Sequence, residues 1–348
     1  GVFAGATAVL THLLLVSVEF FGNLPFAYLN SHFTVWTGLA FYAGLGVVIG
    51  LARPGTRKRS LIAVLLAADL FLCAEAMLPA RRARLRVTFL DVGQGDAIFL
   101  EFPGGTNFLV DAGPASTAGD AGARFIEPFL RRQGIGRLNG IVLSHPHSDH
   151  LGGIPYLLKH LQVGETIDAG SPVNSLLYRE YLHAVDSLAV PRMILRAGET
   201  VPGLTDARLY VLHPSGGFVD EDTGKHGNLN NQSLVLKLVY GKSSLLLAGD
   251  AEREAEDRMA AVYGPWLRCD VLKTGHHGSI TSTSEEFLGL VRPSMSVVSV
   301  GARNKFRLPS ETVLRRLADR GSRYFRTDSS GAVVMESDGE KWSVVEWR

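Results

Sequence analysis

Between Ile141 and Ile154 the sequence reads IVLSHPHSDHLGGI. An apolar run with the look of a strand ends in four ligand-type residues within six positions: His145, His147, Asp149 and His150. Residues two apart in extended chain project to the same side, so His145 and His147 can share one cation. Asp149 and His150 fall where the chain turns toward a helix and can reach a second cation beside the first. Neutral imidazole and carboxylate donors suit Zn, Mn or Fe rather than Ca. Solvated loops and packed cores rarely gather three histidines in this way.

Two later segments repeat the design. LLLAGDAE ends a strand at Asp250, behind a glycine that permits close approach, and this carboxylate is placed to bridge two ions. Its competing role is to cap a helix starting at Ala251. DVLKTGHHGS sets His276 and His277 behind a third strand, with an exposed turn as the competing reading. Two divalent ions about 3.5–4 Å apart acidify water, polarise an electrophile and neutralise a leaving oxygen. Asp149 is placed to orient or deprotonate the nucleophile as well as to ligate. Asp111, in LVDAG, is expected to hold a ligand histidine by its far ring nitrogen, or else to serve as a turn residue before Gly113.

These residues need a frame of strands. From Leu85 the sequence alternates as RLRVTFLDV, continues as AIFLEF and ends a third run at NFLVDAG. A helix is predicted near Ala123–Arg132, a strand at Gly140–Leu143 and a helix over Leu151–Leu161. Later strands are predicted at 208–212, 233–239, 244–248, 271–273, 296–300 and 332–336, with helices at 251–263, 284–290 and 311–320. The mixture indicates an α/β protein of layered helices and sheets.

Before residue 80 the composition is different. Phe33–Ala52 has no charged residue and is long enough to span a bilayer core. Leu61–Met77 is a second candidate span that contains Asp69 and Glu75. Ala8–Phe21, with His12 and Glu19, can span or lie in the interface. Residues 1–80 are therefore expected to form a membrane region of two to three helices, and 84–348 a separate hydrolase domain. The start Gly-Val-Phe lacks an initiator Met and reads as part of a longer protein. Four cations at 53–59 face four at 81–86 across the second span, so charge leaves the topology open. Net charge is +1, so any nucleic-acid contact must come from a local patch. The two cysteines, Cys73 and Cys269, form neither a disulfide framework nor a metal site.

HPHSDH followed by Leu-Gly-Gly, an earlier VDAG, a later AGD and a final HH together resemble the metallo-β-lactamase superfamily, over roughly Arg84–Arg348. The resemblance implies an αββα four-layer sandwich with a dinuclear site at one edge of the two sheets. LDVGQGDA (Leu90–Ala97), TGHHGS (Thr274–Ser279) and the apolar N-terminal region look more narrowly like the ComEC family of DNA-uptake channels. That resemblance implies a multi-pass protein of the bacterial inner membrane with its hydrolase domain facing outside. It implies passage of single-stranded DNA during natural transformation, a nuclease acting on the strand left outside, and other DNA-uptake components as partners. No organic cofactor is implied.

Carried over by position, His145, His147, Asp149, His150 and Asp250 resemble metal ligands for two Zn or Mn ions. One of His276 and His277 should be the last ligand. His276 is taken as that ligand, leaving His277 to act with Asp149 on substrate. Many superfamily members carry a Gly-His-Thr turn where this chain has Asn230-Asn231-Gln232-Ser233. A first-ion ligand is thus replaced by an amide or by water, with Asn231 expected to support the ligands. His213 is the nearby alternative.

A phosphodiester suits hydroxide attack between two ions. Lys273, Ser279, Arg303 and Lys305 are expected to hold it. Arg303-Asn-Lys305-Phe306-Arg307 interleaves cations with an aromatic, as a loop that tracks and stacks a single strand does. The competing functions are a lactonase or β-lactamase, and a non-catalytic domain that binds or gates DNA.

Overall fold

A computed structural model describes residues 84–116, 119–221 and 228–345, together with six isolated positions before residue 84. Apart from those six positions, the three candidate membrane segments lie outside the described residues, as does Cys73. Among the described residues no helix is long and apolar enough to cross a membrane.

Strands are numbered β1–β16 and helices α1–α9 in chain order, with the short α5 at Gly216–Glu221 and α9 at Thr327–Ser330. The first sheet runs β16 (Trp342–Val345), β15 (Val333–Ser337), β1 (Leu85–Phe89), β2 (Ile98–Glu101), β3 (Asn107–Val110), β6 (Arg137–Val142), β7 (Gln162–Asp168) and β8 (Arg192–Ile194). The second runs β14 (Arg323–Arg326), β13 (Met295–Val298), β12 (Val271–Lys273), β11 (Ser243–Leu247), β10 (Val235–Tyr240) and β9 (Arg208–His213). A short ribbon pairs β4 (Ala115–Ser116) with β5 (Gly119–Asp120).

Alternation along the strands builds the layers, because successive side chains point to opposite faces. Ile98 and Leu100 of β2 pack with Leu245 and Leu247 of β11 in a core shared by both sheets. Their neighbours point outward. Phe99 meets Ile126 and Phe129 beside α1 (Glu127–Arg132), and Leu246 meets Met259 of α6 (Arg253–Tyr263) and Leu288 of α7 (Glu285–Val291). Each outer face is thus covered by helices. The first also carries α2 (Ser148–Leu151), α3 (Ile154–His160) and α4 (Leu176–Ser187), and the second α8 (Glu311–Asp319). These four layers are the αββα sandwich expected from the resemblance.

The predicted helix over 151–161 is split. A side chain at Gly152 would meet the backbone nitrogen of Ala115 at 2.1 Å, and one at Gly153 the carbonyl of Ala112 at 2.4 Å. The two glycines let the loop after β3 press against the chain, and the helix restarts at Ile154.

Strand direction places the site. β3 and β6 are parallel neighbours, and so are β11, β12 and β13. Asp111, His145, Asp250, His276, His277 and Ser299 all lie in loops that leave the carboxyl ends of these strands. In sheets of this kind such ends form the ligand-binding rim.

Candidate metal centre

Four imidazoles converge on one carboxylate oxygen. Asp250 Oδ2 lies 3.3 Å from His150 Nε2, 3.5 Å from His277 Nε2 and 3.9 Å from the Nε2 atoms of both His145 and His276. The far ring nitrogens are anchored. His150 Nδ1 donates to Asp111 Oδ2 at 2.8 Å, and His277 Nδ1 to the Ser299 carbonyl at 2.9 Å. Ser144 gives both its backbone N–H and its hydroxyl to Asp111, at 2.7 Å each, and its Oγ accepts from His145 Nδ1 at 3.1 Å. Anchoring Nδ1–H leaves the Nε2 lone pair aimed inward, which is how ligand histidines are set. His147 joins through its Nδ1, 2.9 Å from His145 Nε2.

Asp250 could instead have capped the helix that follows. That helix begins at Arg253, with Glu252 preceding it, and the Asp250 side chain is turned into the cluster with 2% exposure. Its backbone N–H donates to Ser233 Oγ at 3.0 Å, which fixes the turn. Asp149 Oδ2 stands 3.3 Å from His277 Nε2 and keeps 28% of its side chain exposed. It is the carboxylate of the cluster that solvent reaches.

Asp149, His150, Asp250 and His277 offer donor atoms all within 4.8 Å of one another. Of the pair 276–277, His277 belongs to this tight group, while His276, expected as the ligand, lies at its partly exposed margin with its Nδ1 on Glu252 Oε1 at 3.0 Å. Both residues have left-handed backbone, at φ 45° and 52°. That strained conformation in consecutive non-glycine residues is typical of functional sites.

A residue not singled out as a site residue from the sequence completes the interior. Asp96, buried at 1% exposure, pairs with the Lys273 ammonium and lies 3.5 Å from His277 Nδ1. Gly95 makes this possible: at φ 143°, a Cβ there would sit 2.2 Å from the Asp149 carbonyl. Lys273 is expected from the sequence to hold substrate phosphate, and the structure corrects this. It is fully buried, donates to the Gly249 carbonyl at 2.8 Å and lies 3.7 Å from Asp250 Oδ1. Asn231 holds backbone rather than a ligand: its Oδ1 accepts from Glu252 N–H at 3.0 Å. His213 points elsewhere, donating Nε2–H to the Asn231 carbonyl at 2.6 Å. Ser279 is nearly buried, its Oγ 2.9 Å from Thr281 Oγ1. Arg303 and Lys305 stand exposed.

The charges show what the cluster lacks. Asp96, Asp111, Asp149 and Asp250 face one ammonium, Lys273, so neutral histidines leave three negative charges uncompensated. The imidazoles respond. Burial alone would lower His277, but Asp250, with Asp149 and Asp96, lifts it to about 9. His150 is likewise raised against its burial by Asp250 and Asp111. On the other side, burial and the neighbouring His150 push His145 well down, and burial lowers His147. Burial would raise Asp149, yet His277 and His150 hold it well below the carboxylate range. Among the described residues, the buried Nε2 atoms of His150 and His277 and the Oδ1 of Asp250 make no hydrogen bond. Orphaned buried polar atoms call for a partner, and a nitrogen- and oxygen-lined site with excess negative charge fits divalent cations.

Residues 90–301 match the metallo-β-lactamase superfamily, and the chain belongs to it. It is 30% identical over 304 residues to ComE operon protein 3 of Bacillus subtilis, covering 82% of this chain and 38% of that one. It is 33% identical over 247 residues to Competence protein ComA of Neisseria gonorrhoeae, covering 71% and 31%. The chain thus spans about a third of the curated relatives it matches. Together with the domain match, these relatives fit a protein of the ComEC family. Among solved structures it is similar to the metallo-β-lactamase fold protein YhfI of Bacillus subtilis, with TM-score 0.47 and 10% identity over 73% of this chain and all of that one.

Proposed function

We propose that this chain carries a two-cation phosphodiesterase acting on single-stranded DNA, as the hydrolase domain of a DNA-uptake membrane protein. The convergence of four imidazole Nε2 atoms on Asp250 Oδ2, at 3.3–3.9 Å, carries the reading. His145 and His147 would hold a first ion and Asp149, His150 and His277 a second, with Asp250 placed to assist both. Divalent ions held there would supply Lewis acidity and a nucleophile at neutral pH.

The chain's own residues do the rest. Asp149, ionised and partly exposed, accepts a hydrogen bond from incoming water and orients it; a carboxylate held so low is a weak base. Asp111 and the Ser299 carbonyl fix the His150 and His277 rings. The loop after β13 supports the substrate assignment. Directly after Ser299, residues 301–307 present exposed Arg303, Lys305, Phe306 and Arg307. Asn304 ties this loop shut by donating to the Gly301 and Leu308 carbonyls at 2.9 and 2.7 Å. Phe306 is 57% exposed with the Lys305 ammonium 5.0 Å from its ring centre. An exposed aromatic among cations is a stacking platform for unpaired bases.

The competence names of the relatives support DNA as the polymer, the apolar segments before residue 80 support a bacterial inner-membrane location, and the resemblance to DNA-uptake channels supports an outward-facing domain. Cleavage of single-stranded DNA with added Mn or Zn, lost in Asp250→Ala, is the expected result. Turnover of a lactone or nitrocefin without DNA cleavage would contradict it.

A further inference from the structure

The second ion has three residues of its own besides Asp250: Asp149, His150 and His277. On the first side, His145 and His147 supply only two. Counting Asp250, the first ion would have three protein donors, enough for a catalytic site, yet one fewer than the second, so the first set is one donor short of matching it.

Three features mark His276 as that donor. Its Nε2 is as close to Asp250 Oδ2 as His145 Nε2 is, at 3.9 Å. Its Nδ1 is anchored on Glu252 Oε1 at 3.0 Å, so the inward nitrogen keeps its lone pair. Glu252 is itself held, by Thr281 Oγ1 at 2.9 Å and Asn230 Nδ2 at 3.1 Å. A carboxylate behind an imidazole whose other nitrogen faces a cation site is the usual support of a ligand histidine. The left-handed turn at His276 and His277 has a role here, since it lets two adjacent rings both reach Asp250 Oδ2.

The geometry points to a division of the pair, in which His277 serves the second ion and His276, held by Glu252, closes the first. This rests on the two-cation reading above and adds Glu252 as a positioning residue that neither the sequence motifs nor the resemblance supplies. Asn230 is the competing donor. It is 8% exposed, its Oδ1 makes no hydrogen bond among the described residues, and it lies beside His276, with Nδ2 3.4 Å from Nδ1.

The test counts ions on the full chain with Mn or Zn alone, by elemental analysis after dialysis and by titration. The unaltered chain should hold two ions and His276→Ala one. Glu252→Gln should keep both but weaken one about 10–100-fold, with Glu252→Asp recovering part of the loss. Asn230→Ala should hold two. Two ions at unaltered affinity in His276→Ala would overturn the assignment, as would loss of one in Asn230→Ala alone. Should His276→Ala fail to fold, unaltered affinities in Glu252→Gln overturn it equally. Fewer than two ions on the unaltered chain would instead sink the two-cation reading itself.

Discussion

His213 and His277 are both buried, at 3% and 1% exposure, one ends a strand of the second sheet and the other follows one, and each donates one ring N–H to a backbone carbonyl. What faces the other ring nitrogen separates them. His277 Nε2 meets Asp149 and Asp250 and is lifted to about 9, whereas burial takes His213 down to about 4. Burial by itself makes an imidazole neutral and structural. Carboxylates around it reverse that effect and mark the same side chain as a candidate holder of cations.

The largest break in this contrast is removal of the shared carboxylate. Asp250→Ala should abolish the binding of both ions and DNA cleavage while the fold, read by circular dichroism, survives. Cleavage persisting in it and in Asp149→Ala would remove the mechanism. Next comes Asp111→Asn, which leaves every ligand in place but loosens the His150 ring, and should weaken one ion about 10–100-fold. Titration with Mn or Zn checks it, and equal affinity would show that Asp111 serves only its turn.

Phe306→Ala leaves the cluster untouched and should cost single-stranded DNA about 1–3 kcal/mol of binding, with ion binding unchanged. Anisotropy titration of a labelled oligonucleotide reads it, and unchanged binding would strip the loop of its stacking role.

His213→Leu should leave ion loading as it was and alter only the acid limb of stability. A histidine whose folded pKa lies below its unfolded one stabilises fully above about 6.5, and loses that contribution as pH falls toward about 4. The loss is roughly 3 kcal/mol over that window. Urea unfolding of the metal-free chain at pH 7 and pH 4 should show a smaller difference in His213→Leu. An equal difference would mean that His213 does not titrate across the transition.

Much of this was legible in the sequence because it is local. Strand-then-ligand order marked 145–150, 250 and 276–277, and period-2 alternation marked most strands that carry them. What sequence does not encode locally was missed. Asp96 follows Gly-Gln-Gly and reads as a turn, and its burial against Lys273 depends on a contact 177 positions away. Lys273 looked like a surface cation because nothing in VLK reveals that both faces of β12 are covered. Glu252 was absorbed into a helix predicted from 251 that in fact begins at Arg253. The helix at 176–187 and strands β7 and β8 were also unread. Its start is marked only by the Ser175 side chain accepting from Tyr178 N–H at 3.1 Å, and β7 begins in a half-buried QVGE stretch without clear alternation.

The proposed site would have two cations share the Asp250 carboxylate. Electron paramagnetic resonance of the chain loaded with Mn tests this directly, since ions sharing Asp250 must be magnetically coupled. A coupled two-ion signal is expected in the unaltered chain and should disappear in Asp250→Ala. Isolated single-ion signals in the fully loaded chain, or a coupled signal that survives in Asp250→Ala, would contradict it.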